Sequence, residues 1–182
     1  MHFTKNTLPD NIRASAIELL QARLSDAIDL TTQAKQAHWN IKGPSFIALH
    51  ELFDQIYTET GEHSDLIAER LVALGGQAKG TARATADASS LEEYPLEASD
   101  QNDHIEALSS ALAAFGGNTR TAIDEAAQPV DQDTADLFTE VSRSSEKSLW
   151  FVEAHRHSNL TSCQLLCQLC SYHTKQPVTV PF

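Results

Sequence analysis

The sequence predicts an all-α protein, a four-helix bundle with one long crossover between its second and third helices. Three observations predict it. Four long segments repeat apolar side chains at the i, i+3/i+4, i+7 spacing of one helical face. No stretch alternates polar and apolar residues over a useful strand length. Between the second and third segments, residues 77–99 lose the period altogether. A connection of that length in a compact domain has to cross the molecule or serve a purpose, and a bundle with one crossover uses such a link.

The first helix is expected from about Pro9 to Trp39, with Ile12, Ala16, Leu19, Leu20, Leu24, Ala27 and Ile28 on its apolar face. Lys42-Gly43-Pro44-Ser45 breaks it, and Pro44 suits the opening of a second helix. That helix runs to about Leu74, apolar at Phe46, Ile47, Leu49, Leu52, Phe53, Ile56, Leu66, Ile67, Leu71 and Val72, and Gly75-Gly76 ends it. Gly61 weakens it locally. The connection that follows is rich in Ala, Thr and Ser, and its best candidate for a short helix is Leu91-Glu92-Glu93-Tyr94. The third helix spans about Asp100 to Ala127, with Ile105, Leu108, Leu112, Phe115, Ala122 and Ile123 inward; Gly116-Gly117 within it either kinks the helix or permits close packing. The fourth spans about Asp133 to His157, apolar at Leu137, Phe138, Val141, Leu149, Trp150 and Val152. Residues 1–158 form the bundle and 159–182 an extension carrying all three cysteines, Cys163, Cys167 and Cys170.

At 182 residues the chain suits a single domain with one core. No apolar run approaches the length of a membrane span. The residues after Met1 hold no apolar signal core, and no cysteine is available to staple the body of the chain, so a cytoplasmic location is expected. The formal net charge of −12 repels nucleic-acid backbones and attracts metal cations.

The second helix carries His50, Asp54, Asp65 and Glu69. His50/Asp54 and Asp65/Glu69 each have i, i+4 spacing, and the two pairs lie in phase, the four side chains falling within about 100° of one another. They cannot share one ion within the helix, because the eleven steps from Asp54 to Asp65 rise about 16 Å. Two copies of the helix packed antiparallel about a two-fold axis near Glu59 and Thr60 bring His50/Asp54 of one copy against Asp65/Glu69 of the other. His38, ending the first helix, can add a second imidazole. Such a donor set suits iron, zinc or manganese, and its carboxylates suit Fe(III). The alternative is a solvated polar helix face.

Ala37-His38-Trp39-Asn40-Ile41-Lys42-Gly43, Phe46-Ile47-Ala48-Leu49-His50-Glu51, Asp65-Leu66-Ile67-Ala68-Glu69-Arg70 and Leu74-Gly75-Gly76 resemble, in residues and intervals, the Dps family (DNA-binding protein from starved cells). Ser148-Leu149-Trp150-Phe151-Val152-Glu153-Ala154-His155 is similar to that family's last helix. The resemblance spans about residues 3–157. It implies a miniferritin of the ferritin-like superfamily, a hollow dodecamer that oxidises Fe(II), usually with hydrogen peroxide rather than oxygen, and stores ferric oxyhydroxide. It implies a di-iron site with His38, His50 and Asp54 from one subunit and Asp65 and Glu69 from its two-fold mate. Trp39, beside a ligand, would intercept stray oxidising equivalents or else pack the helix end. The resemblance also implies pores lined near the start of the fourth helix, with Asp136 and Asp131 as candidate pore carboxylates; the competing role for Asp131 or Asp133 is a helix N-cap, the role assigned here to Asp133.

The sequence departs from the family in two places. The Lys-rich leading tail of its DNA-binding members is reduced to Lys5, so DNA binding is expected to be weak or absent. The extension from about Asn159 resembles nothing in the family. Its Cys163, Cys167 and Cys170 at i, i+4, i+7 form a short helix burying thiols, or with His155, His157 or His173 bind zinc. A ferritin or bacterioferritin with an intra-bundle site would need Glu-x-x-His motifs, and the chain has none. A DNA-compacting protein and a zinc-binding shell with little oxidation are the remaining alternatives.

Overall fold

The computed structural model describes residues 1–128 and 131–156. Five helices follow in order: α1 Asp10–Asn40, α2 Phe46–Ala73, α3 Ala82–Ala88, α4 Gln101–Ala127 and α5 Gln132–Glu153. The four long ones form two hairpins, α1 on α2 and α4 on α5, which pack together through α1 against α4 and α2 against α5. Residues 74–100 carry the chain from one hairpin to the other, and α3 lies on α1. The core is one cluster in which Leu20, Leu30, Leu49, Phe53, Ile67, Phe115 and Phe138 are fully buried.

Local chemistry sets the boundaries. Gly43 (φ 134°) makes the turn before α2 in a conformation that L side chains rarely adopt, and a Cβ there would lie 2.9 Å from Gln101 Oε1. The helix begins at Phe46, two residues after Pro44. Gly75 (φ 94°) closes it, with Gly75 N–H donating to Val72 and Gly76 N–H to Leu71. Asp100 caps α4 in a reciprocal box with Asp103. Gly116 and Gly117 do not interrupt α4, and a Cβ at buried Gly116 would stand in ordinary contact, 3.7 Å from Ser145 Cβ on α5, so the packing there does not require glycine.

Two sequence expectations are corrected here. The short helix of the crossover is Ala82–Ala88, capped by the Thr81 hydroxyl, and not Leu91–Tyr94. The later stretch is held non-helical: Ser90 N–H and Oγ bond to buried Asp26, Glu92 carbonyl accepts from Gln33, and the Tyr94 hydroxyl meets His104 Nδ1 at 2.6 Å. Pro95 also disfavours helix at Tyr94. Second, Phe46, Ile47, Leu66, Val72 and Trp150 continue the apolar period but remain exposed, so the apolar faces of α2 and α5 are wider than one bundle covers.

Candidate metal centre

α1 ends and α2 begins so that the last turn of one lies beside the first turn of the other. This places His38 and His50 face to face, ring centroids 3.8 Å apart and 21° from parallel. Each ring bonds the other's backbone: His38 Nδ1 to the His50 carbonyl at 2.8 Å, and His50 Nδ1 to the His38 carbonyl at 2.9 Å. A carbonyl oxygen only accepts, so both Nδ1 atoms carry the proton. In its neutral form each ring is thereby the tautomer whose Nε2 lone pair is free, the state a metal-ligating histidine needs.

Asp54 stands one turn beyond His50, with Oδ1 3.9 Å from His38 Nδ1. That oxygen is engaged by the Lys35 ammonium, which also lies 4.5 Å from the Tyr57 ring centre. The Lys35 hydrogen bond holds the Asp54 carboxyl below the usual carboxylate range, against a smaller opposing effect of desolvation, and the Lys35 charge adds to the lowering. Lys35 was not among the residues singled out from the sequence. Its signal was available, since it precedes His38 by three residues and so shares its face.

Asp65 and Glu69 are exposed, farther along α2 and away from the two histidines. Among the described residues of one chain, no group of three or more His, Cys, Asp and Glu side chains is arranged to hold a metal. What one chain does assemble fits part of a metal site: two oriented imidazoles and a nearby carboxylate with an exposed side. Trp39 follows His38 and is 68% exposed, so of its two expected roles the packing of the helix end is not seen within one chain.

The start of α5 also differs from expectation. The N-cap is Asp131, not Asp133: its carboxylate accepts from Thr134 N–H at 3.2 Å and from the Thr134 hydroxyl at 2.6 Å. Asp131 is 2% exposed and pairs with Arg70 at 2.7 Å. Its oxygens are committed within the chain, whereas Asp136 faces solvent. Cys163, Cys167, Cys170, His157 and His173 lie outside the described residues. No described helix is long and apolar enough to cross a membrane.

Comparison with known proteins agrees with this architecture. The ferritin-like domain family matches residues 17–158. The DNA protection during starvation protein of Agrobacterium fabrum is 46% identical over 154 residues, 85% of this chain and 95% of that protein. The tetragonal form of Mycobacterium smegmatis Dps superposes with a TM-score of 0.80 at 33% identity, covering 84% of this chain and 93% of that one. Dps from Microbacterium arborescens in its high iron form gives 0.76 at 31% identity, covering 84% and 97%. With this fold, and with relatives this similar over nearly their whole length, the chain belongs to the Dps family of ferritin-like proteins.

Proposed function

We propose that this protein is a miniferritin that oxidises Fe(II) with hydrogen peroxide at di-iron sites shared between two-fold-related subunits of a hollow dodecamer, and stores ferric oxyhydroxide inside, in the cytoplasm. The observation that carries the proposal is the pair of reciprocal Nδ1–carbonyl bonds, which leave the Nε2 atoms of both His38 and His50 free to bind. Asp54 adds a carboxylate once Lys35 releases or shares it. The partner subunit's Asp65 and Glu69 complete the site, and the apolar surface left exposed on α2 supplies area for that contact.

Two Fe(II) ions enter as substrate. Each gives up one electron, and the two electrons break the O–O bond of one peroxide, which takes two protons and leaves as two waters. Delivering both electrons together avoids hydroxyl radical, the product of one-electron reduction. Anionic Asp54, Asp65 and Glu69 favour the higher charge of Fe(III) over Fe(II). Trp39, exposed beside His38, takes up stray oxidising equivalents. Solvent-facing Asp136 draws Fe(II) towards the interior at a pore, and Asp131 acts there through the Arg70 contact that fixes the start of α5.

The test adds Fe(II) anaerobically, then peroxide, and follows ferric absorbance in the parent and in an Asp65→Ala, Glu69→Ala variant. The parent oxidises rapidly and the variant falls to the protein-free rate. Equal rates refute the site and favour a zinc-binding or structural shell. Compaction of DNA is disfavoured by the net charge of −12. Plasmid at low salt and neutral pH is expected to migrate unretarded beside the protein, and clear retardation would contradict this.

A further inference from the structure

A cleft of about 940 Å³ runs between the crossover and α4. Ala107, Ala111 and Ala114 line it from α4 at i, i+4, i+7, a stripe of small side chains that runs from the core at Ala111 out to exposed Ala114. Glu92, Glu93, Glu97, Asp103 and Glu106 make its border acidic. Acidic groups around an apolar floor suit an apolar segment with cationic character better than an anion, and an ion alone has no use for the floor.

The chain leaves the described fold at the edge of this cleft. Arg156, the last described residue, pairs its guanidinium with Glu106 and donates to Ser109 Oγ at 3.3 Å. Residues 157–182 contain no Asp or Glu, although the whole chain has 25. They carry Lys175, His157 and His173, with Cys163, Cys167 and Cys170 repeating at the i, i+4, i+7 period of the alanine stripe and Leu160, Leu166 and Leu169 beside them. The α4 segment from Asp103 to Ala114 rises about 16 Å, so a segment anchored at Arg156 covers it without a long span. We propose that this chain's own residues 157–182 dock in the cleft between the crossover and α4, apolar side on the alanine stripe and Lys175 against the acidic border.

Two variants of the full-length assembled protein test this, Ala114→Cys and Ala113→Cys. Both positions are exposed on α4, but only Ala114 lines the cleft. After mild thiol oxidation, digestion and mass spectrometry, Ala114→Cys is expected to give a disulfide to Cys163, Cys167 or Cys170 within one chain, at a yield at least about tenfold above Ala113→Cys. Ser110→Cys, also on the cleft wall, is expected to behave as Ala114→Cys does. Equal yields at 113 and 114, no crosslink at 110 or 114, or a disulfide found only between subunits would overturn the proposal.

Discussion

Replacing Asp131 by Ala probes how the start of α5 is fixed to α2. The carboxylate is 2% exposed and its Arg70 partner 17% exposed, so both charges are largely removed from water. Oδ1 accepts from Arg70 at 2.7 Å and from Thr134 N–H at 3.2 Å; the Thr134 hydroxyl donates to Oδ2 at 2.6 Å and accepts from Arg70 Nε at 3.0 Å. Removing one member of a buried pair costs about 3–5 kcal/mol, and loss of an N-cap costs about 1 kcal/mol. Arg70 keeps some solvent and can turn further to Asp133, already 3.7 Å away, so the low end applies. Asp131→Ala is therefore expected to destabilise the fold by about 3 kcal/mol. Asp131→Asn, which retains the cap acceptor, is expected to cost about 2 kcal/mol. At about 2–4 °C per kcal/mol for a chain of this size, Asp131→Ala lowers Tm by about 6–12 °C. The assay is thermal unfolding at fixed protein concentration and neutral pH, since assembly makes Tm concentration-dependent. Asp133→Ala is the control: its side chain is 86% exposed and the change is expected to cost under about 0.5 kcal/mol. If Asp131→Ala costs no more than that control, the network does not hold α5 to α2 and the reasoning fails.

Two further predictions concern ionisation. Burial lowers the pKa of both His104 and His63, and the Tyr94 hydroxyl lies 2.6 Å from His104 Nδ1, where it can donate only to the neutral ring. The unfolded chain binds protons at these histidines near pH 6.5 and the folded chain resists them, so their stability contribution is complete above that pH and declines as pH falls through it. Urea midpoints should fall on acidification through this range in the parent and fall less in a His63→Gln, His104→Gln variant; a parent midpoint that rises on acidification would contradict the assignment. At the metal centre, Lys35→Met removes the bond that holds the Asp54 carboxyl low. Anaerobic Fe(II) titrations should show the acid-side loss of binding moving to higher pH, with tighter binding at neutral pH because no ammonium competes for Asp54; an unmoved profile would mean that Lys35 does not control this carboxylate.

The long helices were legible because their apolar period and boundary residues agree: Asp100 opens α4 and Gly75 closes α2 as the sequence implies. Which short segment of the crossover becomes helical was not, since Leu91–Tyr94 is fixed by distant groups, Asp26, Gln33 and His104, that no local window contains. The cap expected at Asp133 falls on Asp131, because Asp131 is the one buried against Arg70 of α2, a contact that no local window contains. At the site, spacing identified His38, His50 and Asp54 as neighbours. The tautomer of the two histidines depends on the path of residues 41–45 between the helices, and the Lys35 contact depends on side-chain packing between α1 and α2, so neither could be read from residue types alone. The exposure of Ile47, Leu66 and Trp150 marks where the period of one chain exceeds what its own bundle buries.

The central claim is that one site draws ligands from two subunits, and mixing defective subunits tests it most directly. A His50→Ala, Asp54→Ala chain and an Asp65→Ala, Glu69→Ala chain each lack one half of every site and are expected to be inactive alone. Co-assembled in equal amounts with random pairing, half of the two-fold dimers are mixed and each regains one intact site of two, so about a quarter of the parent peroxide-dependent Fe(II) oxidation rate should return. A mixture no faster than either variant alone would contradict a site built across the two-fold axis.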